Sequence, residues 1–146
     1  MLLEPLYRAT FTTPESWTVE ISVGHGAETQ SFLIAEGRCE GRVAARYRGA
    51  NFPRQRADGT VLPDFRGVLE TDDGASVLFS WRGYAGASPD GSRQLVGAMF
   101  HVTDDDRYRW LNTAVCTLVG EVRPREGENG VDVTIEVAEL VPEAPR

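Results

Sequence analysis

Asp64 and Arg66 stand two residues apart in the segment Pro63-Asp64-Phe65-Arg66. In an extended chain that spacing places both side chains on one face. A carboxylate beside a guanidinium stays ionised, and the pair has the chemistry to orient a polar ligand or to move a proton. The plainer role is a cross-strand ion network with Arg46 or Glu40, which holds register and does no chemistry. A second group is aromatic. Phe79 and Trp81 share a face with Val77, and Tyr108 and Trp110 lie near Phe100 along the chain. Such rings suit the wall of a pocket for an apolar or planar ligand, and they are equally the ordinary content of a core. A third is the charged face of 38–48, with Arg38, Arg42, Arg46 and Arg48, followed by Arg54 and Arg56. It has the chemistry to hold a carboxylated ligand. With a net charge of -7, acids are plentiful enough to make it a neutralised solvent face instead.

Other chemistries are excluded or unsupported. All 15 basic residues are arginine, so Schiff-base chemistry, pyridoxal phosphate attachment and a lysine-bearing phosphate loop have no residue to use. His25 and His101 stand alone, and Asp104-Asp105-Asp106 is too compact for a calcium loop, so no metal is expected. Gly24-x-Gly26 lacks the third glycine and the following helix of a dinucleotide site, and no cofactor is expected. His25, between two glycines, reads as a solvated loop residue. Cys39 and Cys116 form no C-x-x-C pair and read as buried thiols packed as small hydrophobes. No G-x-S-x-G nucleophile motif is present.

The elements that must position these residues are strands. The 146 residues suffice for one domain with a proper core, at 41% hydrophobic and 25% charged composition. The segment Val61–Tyr84 reads as two antiparallel strands joined at Asp72-Asp73-Gly74, where Asp bonds its own backbone and Gly accepts a positive φ. Leu2 to Thr12 reads as a strand, Thr13 to Ser16 as a turn, and Trp17 to Val23 as a second strand by strict alternation. Ser31 to Ala35 is a short run, and Gly37 to Arg48 alternates between a small apolar face and a charged one, with glycines that fit a sharply bent sheet. Gly49 to Gly59 reads as a loop. Further strands are expected at 94–102, 113–122 and 131–140, with turns at 85–92 and 124–130 and a frayed tail from 142. Thr103 and the three acids after it resemble a helix start, which predicts a short helix at about 104–112. The fold class is therefore all-β, a single antiparallel β-barrel of about eight or more strands with one short helix, spanning 1–146. An acidic chain repels phosphate backbones, so nucleic acid is not an expected partner. No apolar run is long enough to span a bilayer and no secretory leader is visible, which points to the cytoplasm and away from membranes.

Several pieces then resemble a known family: Gly37-Arg38-Cys39-Glu40-Gly41, Asp64-Phe65-Arg66, Leu69-Glu70-Thr71-Asp72-Asp73-Gly74-Ala75, Gly83-Tyr84 and the run from Phe100 to Asn112. In this order they resemble the bacterial domain-of-unknown-function family 3237. The resemblance implies a small antiparallel barrel, similar in shape to dirigent and allene oxide cyclase proteins, and no established activity. Two departures stand out. Asn51-Phe52 occupies the place of an Asp-Trp pair, and Gln94-Leu95, beside Arg93, that of a Phe-Arg pair. An amide at 51 cannot exchange a proton as a carboxylate does.

The expected function is binding of a small apolar or aromatic metabolite in or at the mouth of the barrel, with Asn51, Phe52, Asp64, Arg66, Phe79, Trp81, Tyr108 and Trp110 as the candidate residues. One alternative is a cyclase or isomerase using a barrel cavity, with Asp64 and Arg66 as its polar groups. Another is a homo-oligomer with a structural role and no ligand. Alternation leaves open which sheet face points inward, and the choice between these readings turns on that.

Overall fold

The computed structural model describes residues 1–23, 26–125, 127 and 130–143, without the side chains of 22, 23, 26 and 27. Ten strands follow in order: β1 (Leu2–Val23), β2 (Gly26–Gly41), β3 (Ala45–Asn51), β4 (Arg54–Gln55), β5 (Val61–Leu62), β6 (Asp64–Thr71), β7 (Ser76–Ala87), β8 (Arg93–Val102), β9 (Cys116–Pro124) and β10 (Val131–Val141). Eight of them close an antiparallel barrel, pairing in the circle β1, β10, β9, β8, β7, β6, β3, β2 and back to β1. The two-residue strands β4 and β5 bridge β2 to β7 at one end. Among the described residues no helix is long and apolar enough to cross a membrane.

The turn at Asp72-Asp73-Gly74 is as expected. Gly74 has φ of 93°, its N–H donates to the Thr71 carbonyl at 3.0 Å, and the Thr71 hydroxyl donates to Asp73 at 2.6 Å. The expected loop at 49–59 contains the end of β3 and all of β4, and three further boundaries differ from the expected ones. There is no turn at 13–16, because β1 runs unbroken through Pro14 with a register shift between Thr12 and Glu15. Pairing with β10 has already ended at Thr12, so the N–H that proline lacks is not needed there. The alternating stretch from Gly37 to Arg48 is two strands, since β2 ends at Gly41 and β3 starts at Ala45, and the face pattern survives the turn. The expected helix at 104–112 is a chain of turns ending in a short 3₁₀ turn at Arg109–Thr113. The capping residues made local bonds instead: the Asp105 N–H donates to Thr103 Oγ1 at 3.2 Å and the Arg107 N–H to Asp105 Oδ1 at 2.9 Å. The Arg107 guanidinium and N–H together hold the Asp105 carboxyl down at about 2.

The inward face holds the odd-numbered residues of most strands. Cys39, Val43, Ala45, Tyr47, Leu69, Val77, Met99, Cys116 and Ile135 are all without solvent contact. Both thiols are pushed up by burial, Cys39 to about 12 and Cys116 to about 11, and so stay protonated and inert. The middle of the lumen is a run of rings: Phe65 stacks on Trp81 at 5.2 Å and on Phe79 at 5.7 Å, Phe79 meets Tyr47 at 4.7 Å, and Tyr47 stacks on Phe11 at 4.7 Å. Space for these rings comes from glycines that face inward beside them. Gly49 pairs with Gly67 across β3 and β6. A Cβ on Gly67 would lie 2.2 Å from the Arg48 carbonyl and 2.6 Å from the Phe79 ring, so no larger residue fits that close approach. Leu111, from the 3₁₀ turn, is wholly buried in the same core. Asn112 ties that segment to the end of β8, bonding both the N–H and the carbonyl of Thr103.

Candidate ligand-binding site

The end of the barrel opposite the 3₁₀ turn is not filled. A cavity of about 200 Å3 lies there, with walls that include Phe11, Phe65, Trp81, Ala85 and Leu95. Val61 and Pro63, from the β4–β5 bridge, and Val122, Val131 and Val133 complete an apolar rim. The polar side chains in the lining are Thr13, Asn51 and Arg93.

Each is placed by strand parity. Arg93 opens β8 and shares the inward face with Leu95, Met99 and His101. Its Nη1 is buried and, among the described residues, meets no hydrogen-bond acceptor. Asn51 closes β3 on the face of Tyr47 and Ala45. Its Oδ1 accepts the Asp64 N–H at 3.0 Å, so the amide NH2 is what it has left to offer the cavity. Thr13 Oγ1 accepts the Val131 N–H at 3.3 Å and keeps its own proton to donate. The chamber is apolar with a polar edge rich in donors, and among the described residues no acid lines it.

The predicted residues divide. Asn51 and Trp81 come together in this chamber, and Phe79 lies deeper in the ring stack. Asp64 and Arg66 are on the outer surface, in an open groove with Ser80 and Arg82. Asp64 pairs there with Arg82 across the strands at 3.4 Å, and neither Arg46 nor Glu40 is its partner. Phe52 points outward against Phe32, and Trp17 lies beyond that ring. Tyr108 donates to Asp73 at 2.8 Å, while Trp110 carries the Arg42 guanidinium 4.5 Å above its ring. Phe100 is exposed on the outer face of β8, so these three aromatics do not form one cluster. The arginines of 38–48 face solvent among acids: Arg38 pairs with Glu40 and Asp72, Arg46 with Glu36, and Arg48 with Glu36 and Glu70. His25 lies outside the described residues.

Sequence reasoning missed Phe11, Thr13, Phe65 and Arg93. The signal for Arg93 was parity: an arginine in phase with Leu95, Gly97 and Met99 sits on an apolar face, where a charge is unusual. A second interior polar group lies toward the other end. Tyr7 Oη is 2.7 Å from His101 Nε2 and donates to Met99 Sδ at 3.3 Å, while His101 Nδ1 has no partner among the described residues. Burial holds the imidazole down at about 4, so it is neutral at pH 7.

Fold and chamber define a small eight-stranded β-barrel with a ligand-sized space at one end of its lumen. The chain belongs to the DUF3237 family, described as protein of unknown function, whose model matches residues 1–140. No curated protein matches it. Among solved structures, it is similar to a β-barrel-like protein from Acinetobacter baumannii, at 24% identity and a TM-score of 0.77 with 96% of each chain covered. A protein of unknown function from Clostridium acetobutylicum is 15% identical with a TM-score of 0.78, covering 97% of this chain and 100% of that one. An enzyme from Penicillium herquei is 24% identical with a TM-score of 0.66, covering 93% of each. At these identities the likeness is one of fold.

Proposed function

We propose that the protein binds a small, largely apolar or aromatic molecule in the chamber at the mouth of the barrel. The chamber itself carries this reading. A cavity of about 150 Å3 is enough to admit benzene, whereas drug-sized ligands need roughly 300 Å3 or more. At about 200 Å3 the space suits a molecule of one ring. Its aromatic walls supply the apolar contact, and Arg93 and Asn51 supply orientation. A ligand at about 100 times its Kd adds about 2.7 kcal/mol of stability, or a rise in Tm of about 5–10 °C for a chain this size. Thermal melts with single-ring aromatics, neutral and acidic, test this. Wild type should show a saturable rise, and Ala85→Phe, which grows a ring into the chamber, should show none. No rise with any compound, or an equal rise in both proteins, removes the reading.

A second reading, of the cyclase or isomerase kind, is favoured by donors gathered in a mostly apolar chamber. Arg93 and Asn51 are suited to stabilise negative charge developing on a carbonyl oxygen, and the Penicillium herquei relative is an enzyme. Mass spectrometry of a bound compound after long incubation separates the two. A product that Arg93→Met fails to form supports the enzyme, and a ligand recovered unchanged removes it.

A further inference from the structure

The chamber also selects a class of ligand, an inference that rests on its being a binding site at all. We propose that Arg93 anchors the carboxylate of a single-ring aromatic acid. A guanidinium keeps its charge at any physiological pH, and taking it out of water is unfavourable unless acceptors replace the lost hydration. Elsewhere in the chain the guanidiniums keep solvent and have acids as well: Arg38 has Glu40 and Asp72, Arg48 has Glu36 and Glu70, and Arg107 has Asp73 and Asp105. Arg93 is different. Its cross-strand neighbours, Ala87 on β7 and Val122 on β9, carry no acceptor in their side chains. The chamber it lines contains no acid, and its Nη1 is buried without a partner among the described residues. The acceptor for that nitrogen is one that an occupant of the chamber can supply.

The rest of the lining narrows the chemistry. Asn51 Oδ1 already accepts the Asp64 N–H and Thr13 Oγ1 the Val131 N–H, so the Asn51 NH2 and the Thr13 O–H remain as donors for the chamber. A donor-rich edge selects an acceptor-rich group and disfavours an amine. A carboxylate matches the planar fork of a guanidinium. A phosphate would bring a second negative charge against one fixed cation. Beside the polar groups, Phe11, Phe65 and Trp81 present ring surface, and the volume admits one ring next to the carboxylate.

Calorimetric titration at pH 7 with benzoate, phenylacetate, benzamide and toluene tests this in wild type, Arg93→Met and Arg93→Lys. The methionine keeps the apolar stem and removes the charge, and with an unpartnered charge gone it should melt at or above wild type without ligand. Wild type should bind benzoate or phenylacetate at least about tenfold more tightly than benzamide, the scale of a charge-assisted hydrogen bond. Arg93→Met should hold benzoate and benzamide within about twofold of each other, and Arg93→Lys should keep part of the preference. Neutral probes that bind without a carboxylate preference, or a preference that survives in Arg93→Met, overturn the anchor and leave the chamber standing. If neither the acids nor the neutral probes bind wild type, the anchor and the binding reading both fall.

Discussion

A Phe65→Ala variant is expected to lose about 3–5 kcal/mol of unfolding free energy, read as a fall in the urea midpoint at unchanged slope. Phe65 is 1% exposed and touches four other rings: Phe11 at 5.5 Å, Tyr47 at 5.5 Å, Phe79 at 5.7 Å and Trp81 at 5.2 Å. Truncation removes the transfer free energy of the ring and leaves a space its neighbours fill poorly. Gly49 and Gly67 set their backbones against Phe65 and Phe79 and have no side chains to move into the gap. The new space is continuous with the mouth chamber, which Phe65 lines, so the variant should also admit ligands larger than one ring. Phe52→Ala is the control. That ring is 47% exposed on the outer face, and its loss should cost about 1 kcal/mol or less. Equal losses in the two variants would contradict the assignment of inside and outside.

Stability should fall by about 3 kcal/mol between pH 6.5 and pH 4 through His101 alone. The imidazole is held at about 4 in the folded chain against 6.5 when exposed. Across that window the unfolded chain binds a proton that the folded chain refuses, so stability rises with pH. The loss begins as pH drops below 6.5 and is complete below about 4, where both states are protonated. The cause is geometric as well as dielectric. With the proton on Nε2, His101 donates to Tyr7 and Tyr7 donates to Met99, which leaves bare only an acceptor on Nδ1. Protonation would add a buried N–H with nothing to receive it. Unfolding curves of wild type and His101→Gln from pH 4 to 7.5 measure this. The substitution should flatten the difference in that range, while the exposed carboxylates held low by hydrogen bonds, Asp105 by Arg107 above all, act below it. A wild-type profile as flat as the variant's would show that His101 does not titrate in the window.

What could be read along the chain was local. Asp72-Asp73-Gly74 makes its turn from its own side chains and backbone, so that hairpin was legible residue by residue. Alternation located most strands, and it carried the pairing of faces from Cys39 to Tyr47 even across an unrecognised turn. The helix expected at 104–112 failed because Thr103 and Asp105 have two local uses for their oxygens, and closing turns under the barrel competes with capping a helix. Pro14 was read as a turn because sequence alone does not reveal that β10 has already left that edge of β1.

The class of fold, the absence of lysine chemistry and the sets of residues that share a face were all legible along the chain, because strand period and residue type are properties of neighbours in sequence. Which face is the lumen was set by the closed barrel. Closing the sheet one way put Asp64 and Arg66 in solvent and brought Asn51, Trp81 and Arg93 to one opening, from strands β3, β7 and β8. Alternation is the same for a strand seen from either side, and the distinction appears only when β1 meets β2 and β10 at once and one face has nowhere to go but inward.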